Sequence, residues 1–188
     1  RDLLCPQFAG KIIQGDAARS ESYTMTYLAL KKVLSPEDFR KLAELRPAAK
    51  VKSQDIAQDV ATGEYPVAWS GMPTRAYQFR QKGVELRFVF PEEGTVFIPQ
   101  CVFIPNRAPH PNAAKLFFDY FLSEEGQRVY VLGEAVSSGR DNFVSPLPEY
   151  APSIETLKPV PIDWSQVTVE DLKAAQAEWI SIFGSGGQ

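Results

Sequence analysis

The chain has 188 residues and a mass of 21.0 kDa, with 44% hydrophobic and 23% charged residues, so it can bury a core and is too apolar to be wholly disordered. A net charge of -3 and a pI near 5.3 argue against a nucleic-acid binder, which needs a basic face. No apolar run approaches the roughly 18 residues of a membrane span. The first residues show no targeting leader, and we expect any such segment to lie upstream or to have been removed.

Helical patterns come first in the chain. Hydrophobic residues recur at helical spacing after Ser20 or Ser22, either of which can cap the start of a helix. Ser35 is predicted to cap a second helix that has Pro36 in its first turn. A third helix is predicted to be capped by Ser53.

Strand-like runs and a fourth helix follow. The short apolar run 65–69 favours a strand, and residues 72–82 return to helical spacing. Apolar residues alternate over 84–90, which predicts a half-buried strand, and 96–104 reads as another strand after a Pro-Glu-Glu-Gly turn. Helices that alternate with strands indicate an α/β fold in which helices cover a sheet.

The last part of the chain is predicted to be helical at both ends and irregular between them. A helix from Pro111 and an amphipathic piece over 124–132 precede a proline-rich segment, 137–164. Thr168 and Asp171 form a capping box for the final helix, which is followed by a frayed Gly/Ser tail. That helix is predicted to bury Trp179, Ile180 and Phe183.

Catalytic motifs are missing from the sequence. It has one histidine, His110, and two distant cysteines, Cys5 and Cys101, and it lacks the nucleophile elbow, metalloprotease, P-loop and dinucleotide patterns. We therefore expect no enzyme activity, no metal and no cofactor. A disulfide between the two cysteines and a pair of free thiols both remain open, because spacing alone does not bring two cysteines within bonding range.

Polar groups at the ends of elements are better candidates for a function. Ser20, Ser22 and Tyr23, with Arg19 beside them, place hydroxyls at a helix start, which favours an anion, although simple capping explains the serines equally well. Ser70 lies where a strand meets a helix, and such crevices bind ligands in α/β sheets. A small residue in a turn is the alternative interpretation of Ser70.

Motifs in a fixed order along most of the chain resemble a known family, the periplasmic solute-binding proteins of ABC importers, and within it the type 2 cluster of ferric-ion and phosphonate binders. The segments that carry the resemblance are 2–4, 8–12, 20–23, 63–69, 81–83, 90–95, 111–117 and 123–127. The resemblance implies an incomplete Venus-flytrap fold that contains the second lobe and part of the first. It places the second lobe at 1–93, a crossing back to the remnant of the first lobe at 94–165, and a terminal helix and tail at 166–188.

The function implied by the resemblance is capture of a small anionic organic solute between two lobes, outside the cytoplasm, for delivery to the membrane subunits of an ABC permease. Thr95 is then expected at the hinge crossing. The alternatives are a ligand-sensing domain of a membrane receptor and a ferric-ion binder. Ferric-ion members carry adjacent tyrosines where this chain has Ser70 to Pro73, and Tyr77 is isolated, so we expect no iron bound by a tyrosine pair.

The resemblance also implies that an aromatic stripe after Pro111 and the predicted strand 96–104 lack the first-lobe partners on which they would pack. We therefore expect the fragment to self-associate or to hold its C-terminal half loosely. The stripe consists of Ala113, Leu116, Phe117, Tyr120 and Phe121.

Overall fold

A fully buried strand forms the centre of the sheet in the computed structural model, which describes residues 2–184. The strands are β1 (Ile12–Gly15), β2 (Ala48–Lys50) and β3 (Val67–Trp69). Both outer strands pair with β1 in parallel, in the order β2-β1-β3. Ile12 and Ile13 each leave 0% of their surface exposed, as expected for a central parallel strand that is covered on both faces.

The described residues divide into two units, one formed by residues up to 98 together with those from 159 onward, and one by residues 99–158. The assignment of these segments to lobes stays a prediction. The helices of the first unit are α1 (Glu21–Leu30), α2 (Pro36–Glu44), α3 (Ser53–Ala61), α4 (Pro73–Gln81) and α7 (Val169–Phe183). Those of the second are α5 (Pro111–Leu122) and α6 (Glu124–Glu134).

The main core of the first unit lies between the sheet and its helices. Burial of each large apolar side chain in this core stabilises the folded protein by about 1.5–3 kcal/mol. The cluster contains Ile13, Tyr23, Tyr27, Phe39, Ile56 and Trp179. α7 contributes Trp179, as predicted, but Ile180 is 37% exposed, so its predicted burial is wrong. Ile180 lies one position beyond Trp179, which turns it away from the core.

Two helix starts agree with the sequence in detail. Ser35 and Thr168 each accept a hydrogen bond from the backbone N–H three residues on, and the aspartate there bonds back to the cap. The predicted cap of α3 is wrong: Lys52 occupies the cap position, and Ser53 is the first helical residue. Ser20 does precede α1, but its side chain makes no capping hydrogen bond.

The predicted strand 84–90 is wrong, although its alternation has a physical origin. Val84, Leu86, Phe88 and Phe90 are half-buried, while the residues between them are exposed. The segment therefore lies with one side against the protein, but no neighbouring strand pairs with it among the described residues. Alternation of apolar residues with a period of two shows which side of an extended segment faces the protein. A β-strand also requires a neighbouring strand with which it forms hydrogen bonds.

The predicted strand 96–104 is also wrong. Its start is held by an isolated bridge between Thr95 and Pro159 and by a hydrogen bond of 2.7 Å from the Trp164 indole Nε1 to the Phe97 carbonyl. Pro99 then removes a backbone donor, which a central strand does not tolerate. β1 and β2 are present instead, and were missed because four and three residues are too few to show a period.

The second unit has a small core. Val131, Phe143 and Ala151 are buried together, with Leu147 packed against them. α5 has no buried residue, and Phe117 of its apolar stripe is 62% exposed. Cys5, in the first unit, and Cys101, in the second, are exposed free thiols.

Candidate functional site

The three strands end at one edge of the sheet, because parallel strands share their direction. Two hydrogen bonds connect their ends. The Gly15 N–H donates to the Ser70 hydroxyl at 3.1 Å, and the Asp16 N–H donates to the Lys50 carbonyl at 3.0 Å. This edge is therefore a connected surface on which residues from all three strand ends lie side by side.

Ser70 has an unusual backbone conformation directly after β3. Its φ is 63°, in the left-handed region that non-glycine residues rarely adopt and that costs on the order of 1–3 kcal/mol. This conformation brings the hydroxyl to the Gly15 N–H. The oxygen accepts that bond and still has its own O–H to donate to a further group.

Gly15 also supports the ring of Tyr23 from α1. A Cβ added at Gly15 would lie 2.1 Å from the Tyr23 Cδ1 atom, far inside contact distance. Only glycine permits this approach of the ring to the backbone of β1. Gly15 thus joins Ser70 and Tyr23, two predicted site residues from different parts of the sequence.

The phenol of Tyr23 lies in a buried environment. The side chain is 4% exposed, and its burial raises the pKa to about 12, while nearby Arg75 and Ser53 oppose that rise. Ser53 lies close, yet no hydrogen bond of normal geometry reaches the phenol oxygen within the described residues. The phenol therefore stays protonated at neutral pH and has unused hydrogen-bonding capacity.

Arg75, in the first turn of α4, is a site candidate that the sequence interpretation missed. Its Nε donates to the Ser53 hydroxyl at 2.9 Å, and its Nη1 donates to Gln78 Oε1 at 2.7 Å. A positive charge in the first turn of a helix interacts unfavourably with the helix dipole. The position of Arg75 was therefore a signal in the sequence that its side chain needs a partner. We call Gly15, Tyr23, Ser53, Ser70 and Arg75 the strand-end site.

The other predicted residues lie in different settings. Arg19 is half exposed, and its Nε bonds to Asp16 Oδ2 at 2.6 Å, so its charge is balanced by a fully buried carboxylate. Ser20 and exposed Ser22 lie at the start of α1, where their carbonyls accept hydrogen bonds from later residues of the helix. Thr95 pairs with the segment at Pro159.

A small cavity of about 10 Å³ lies beside the strand-end site. Trp69, Phe39 and Trp179 form much of its wall, together with Ser70 and Gln14. Gln14 is 1% exposed, and its amide nitrogen has no hydrogen-bond partner within residues 2–184. A cavity of this size holds about one water molecule, so it is too small to hold a solute itself.

The chemistry available at the strand-end site is hydrogen bonding and one positive charge. In the described part of the chain, no group of histidine, cysteine, aspartate and glutamate side chains is arranged to hold a metal ion. No helix there is long and apolar enough to cross a membrane.

A family model described as bacterial extracellular solute-binding protein matches residues 1–154. The chain belongs to this family. The predicted resemblance to solute-binding proteins is therefore confirmed at the level of the family. A comparison with curated proteins finds no match.

A solved structure described as "Two-component system protein mediate signal transduction" is similar in fold, with a TM-score of 0.67 and 20% sequence identity. The match covers 97% of this chain and 60% of that chain. At this identity the likeness concerns the fold alone. The chain therefore spans about 60% of the length of this structural neighbour.

Proposed function

We propose that this solute-binding protein is the extracytoplasmic component of an ABC importer and captures a small anionic organic solute. The observation that carries the proposal is the strand-end site, where Ser70, Gly15 and Tyr23 meet beside Arg75. Family membership supports the capture of a solute. The half-buried arginine and the hydroxyls around it favour an anion over a neutral or cationic solute.

The full-length protein is proposed to have the type 2 Venus-flytrap fold, with the solute held between two lobes that close by hinge motion. This chain supplies one wall of the cleft, and Thr95 lies at the hinge. Ser20, Ser22 and Arg19 are proposed as further contacts at the start of α1. The partners are the membrane subunits of the permease, and the location is the periplasm or its equivalent.

Release of the bound solute tests this function. The full-length protein, purified under native conditions from its bacterial source, is expected to release a small anion in stoichiometric amount on denaturation, as detected by mass spectrometry. Incubation with that solute is expected to return it unaltered, because the strand-end site holds neither an activated nucleophile nor a general base. Turnover of many equivalents would contradict a binding role.

Ferric ion is a less favoured cargo. Iron members use paired phenolates, whereas the buried Tyr23 phenol here has its pKa raised to about 12 and Ser70 provides a neutral hydroxyl. Ferric citrate is therefore expected to produce no visible charge-transfer absorption with the full-length protein. A strong band that is lost in Tyr23→Phe or Tyr77→Phe would establish iron as the cargo.

A sensing role in a membrane receptor is the second candidate, and the signal-transduction role described for the structural neighbour favours it. The two roles use the same site but differ in their consequence. Deletion of the gene is expected to abolish uptake of the solute if the protein serves an importer. Normal uptake with loss of a transcriptional response to the solute would favour the receptor.

Self-association of the 188-residue chain is proposed from the apolar stripe of α5. Leu116 is 72% exposed and Phe117 62% exposed, and apolar patches of this kind rarely remain uncovered. Sedimentation is expected to show an oligomer that Leu116→Gln combined with Phe117→Glu converts to a monomer. A wild-type chain that stays monomeric at high concentration would contradict this expectation.

A further inference from the structure

Side chains from three helices meet at the carboxyl edge of the sheet. Tyr23 comes from the first turn of α1, Ser53 from the start of α3 and Arg75 from the start of α4. The Arg75 Nε to Ser53 Oγ distance is 2.9 Å, and both groups lie close enough to the Tyr23 phenol to affect its ionisation. No single segment of sequence contains this cluster, so it is a product of the fold.

The positive charge of Arg75 is not balanced at this position. Its hydrogen bonds go to a hydroxyl and to the Gln78 amide, both neutral, and within residues 2–184 no carboxylate forms an ion pair with it. Arg19 offers a contrast, since buried Asp16 neutralises it. A half-buried guanidinium bonded to neutral groups retains its attraction for an oxyanion.

The Tyr23 hydroxyl is a second and independent sign of an absent partner. It is nine-tenths or more buried, lies beside Ser53 and Arg75, and makes no hydrogen bond of normal geometry within the described residues. A buried donor without a partner costs about 1–3 kcal/mol. Such a cost is recovered when a bound group supplies the acceptor.

The start of α3 adds to the attraction for an anion. α3 has nine residues, its cap residue, Lys52, makes no side-chain cap bond, and Asp55, the acidic residue of its first turn, is exposed. Ser53 is its first helical residue, so the positive end of the helix dipole adjoins the hydroxyl to which Arg75 donates. The Arg75 guanidinium, the Ser53 hydroxyl and the N-terminus of α3 therefore lie next to one another.

We propose that Arg75, with Ser53 and Tyr23, holds the terminal oxyanion of the solute, whether carboxylate or phosphate. This inference rests on the proposed solute-binding function and names the anion-binding end of that site. Arg75 pairs with the oxyanion and Ser53 donates its O–H. The Tyr23 phenol, which is buried without a partner in this structure, is the third group of the site and donates its O–H to the bound anion.

Calorimetric titration of the full-length protein with inorganic phosphate and, separately, with acetate tests the proposal and separates the two oxyanion chemistries. Arg75→Gln is expected to weaken binding of the favoured anion by about tenfold or more, as for loss of a charged hydrogen-bond partner. Arg80→Gln, an exposed arginine on the same helix, makes the same change in net charge and is expected to alter affinity by less than about twofold. Arg75→Lys is expected to recover part of the loss, and Tyr23→Phe to cost less than Arg75→Gln.

Three outcomes would overturn the proposal: equal effects of Arg75→Gln and Arg80→Gln, an unchanged affinity in Arg75→Gln, or no binding of either anion to the wild type at millimolar concentration. Urea unfolding of each variant verifies that a loss of affinity is not a loss of fold. The solute released from the native protein separates the two levels of inference. If the released solute is uncharged and Arg75→Gln leaves its binding intact, the proposed anion site is wrong but solute binding stands. If the protein neither releases nor binds a solute, the proposed function itself is wrong.

Discussion

Helices α1 and α5 are both rich in aliphatic and aromatic side chains, yet one is a core helix and the other is not. α1 packs on α7 and buries Tyr23, Thr24, Tyr27 and Ala29. α5 packs mainly on α6 and buries no residue of its own. An apolar helix face thus becomes part of a core only when a second element covers it. The strand-end site lies on the better packed of the two regions.

The largest difference between the regions is expected in large-to-small substitutions. Trp179, at 3% exposed, packs against the Phe183 ring at 5.1 Å between centroids, so Trp179→Ala is expected to lower the free energy of unfolding by about 3–5 kcal/mol. Phe117→Ala on α5 is expected to change it by less than about 0.5 kcal/mol. Urea unfolding of the 188-residue chain at low protein concentration measures both, and similar losses would remove the contrast.

Two glycines provide a sharper comparison. Gly15→Ala places a Cβ 2.1 Å from the Tyr23 ring and is expected to cost about 1–3 kcal/mol of unfolding free energy. Gly133 in α6 has open space around the added atom, so Gly133→Ala is expected to stabilise by roughly 0.5–1 kcal/mol. Thermal unfolding distinguishes the signs. A Gly15→Ala protein as stable as the wild type would show that the ring does not lie on β1.

Helix starts give a smaller effect. The Thr168 hydroxyl accepts from the Asp171 N–H at 3.1 Å, so Thr168→Ala is expected to cost about 1 kcal/mol of unfolding free energy. Ser20 precedes α1 without a side-chain cap bond, and Ser20→Ala is expected to cost only a few tenths of that amount. If Ser20→Ala weakens solute binding while stability stays unchanged, its hydroxyl serves the ligand. Equal losses of stability would make Ser20 an ordinary cap.

The sequence predicted some elements well because their signals are local. The capping boxes at Ser35 and Thr168 are readable within four residues of chain, and the structure contains both. The segment 84–90 shows the limit of local patterns. Its alternation of half-buried and exposed residues is real, but whether a strand pairs with it depends on tertiary contacts. Local patterns report exposure, whereas a sheet depends on which segments meet.

The strand-end site shows the same limit. Tyr23 and Ser70 were predicted because each follows a recognisable element boundary. Their connection through Gly15, and the arrival of Ser53 and Arg75 at the same edge, depend on contacts between residues far apart in the chain. Only the unfavourable placement of a cation at the start of α4 gave a local hint of Arg75.

A further expected effect is a dependence on alkaline pH. Burial raises the pKa of Tyr23 from 10.0 to about 12, so the folded protein holds that proton more tightly than the unfolded chain. The resulting stabilisation is complete below pH 10 and is lost as the pH rises toward about 12. Tyr23→Phe is expected to reduce this decline in urea unfolding, and the part that remains comes from Tyr27, whose pKa burial also raises. Tyr120→Phe, on exposed α5, is the control, and a Tyr23→Phe curve that declines like the wild type would contradict the buried phenol.

Hydrogen exchange of the full-length protein, with and without the solute that it releases, shows directly whether the solute binds at the strand-end site. The solute is expected to slow exchange of backbone amides at 15–23, 53–55 and 70–75, the segments that form the strand-end site and the start of α1. The amides of α5 and α6 are expected to change less than these. Protection confined to α5 and α6, with no change at the strand ends, would contradict the assignment of the solute to this edge of the sheet.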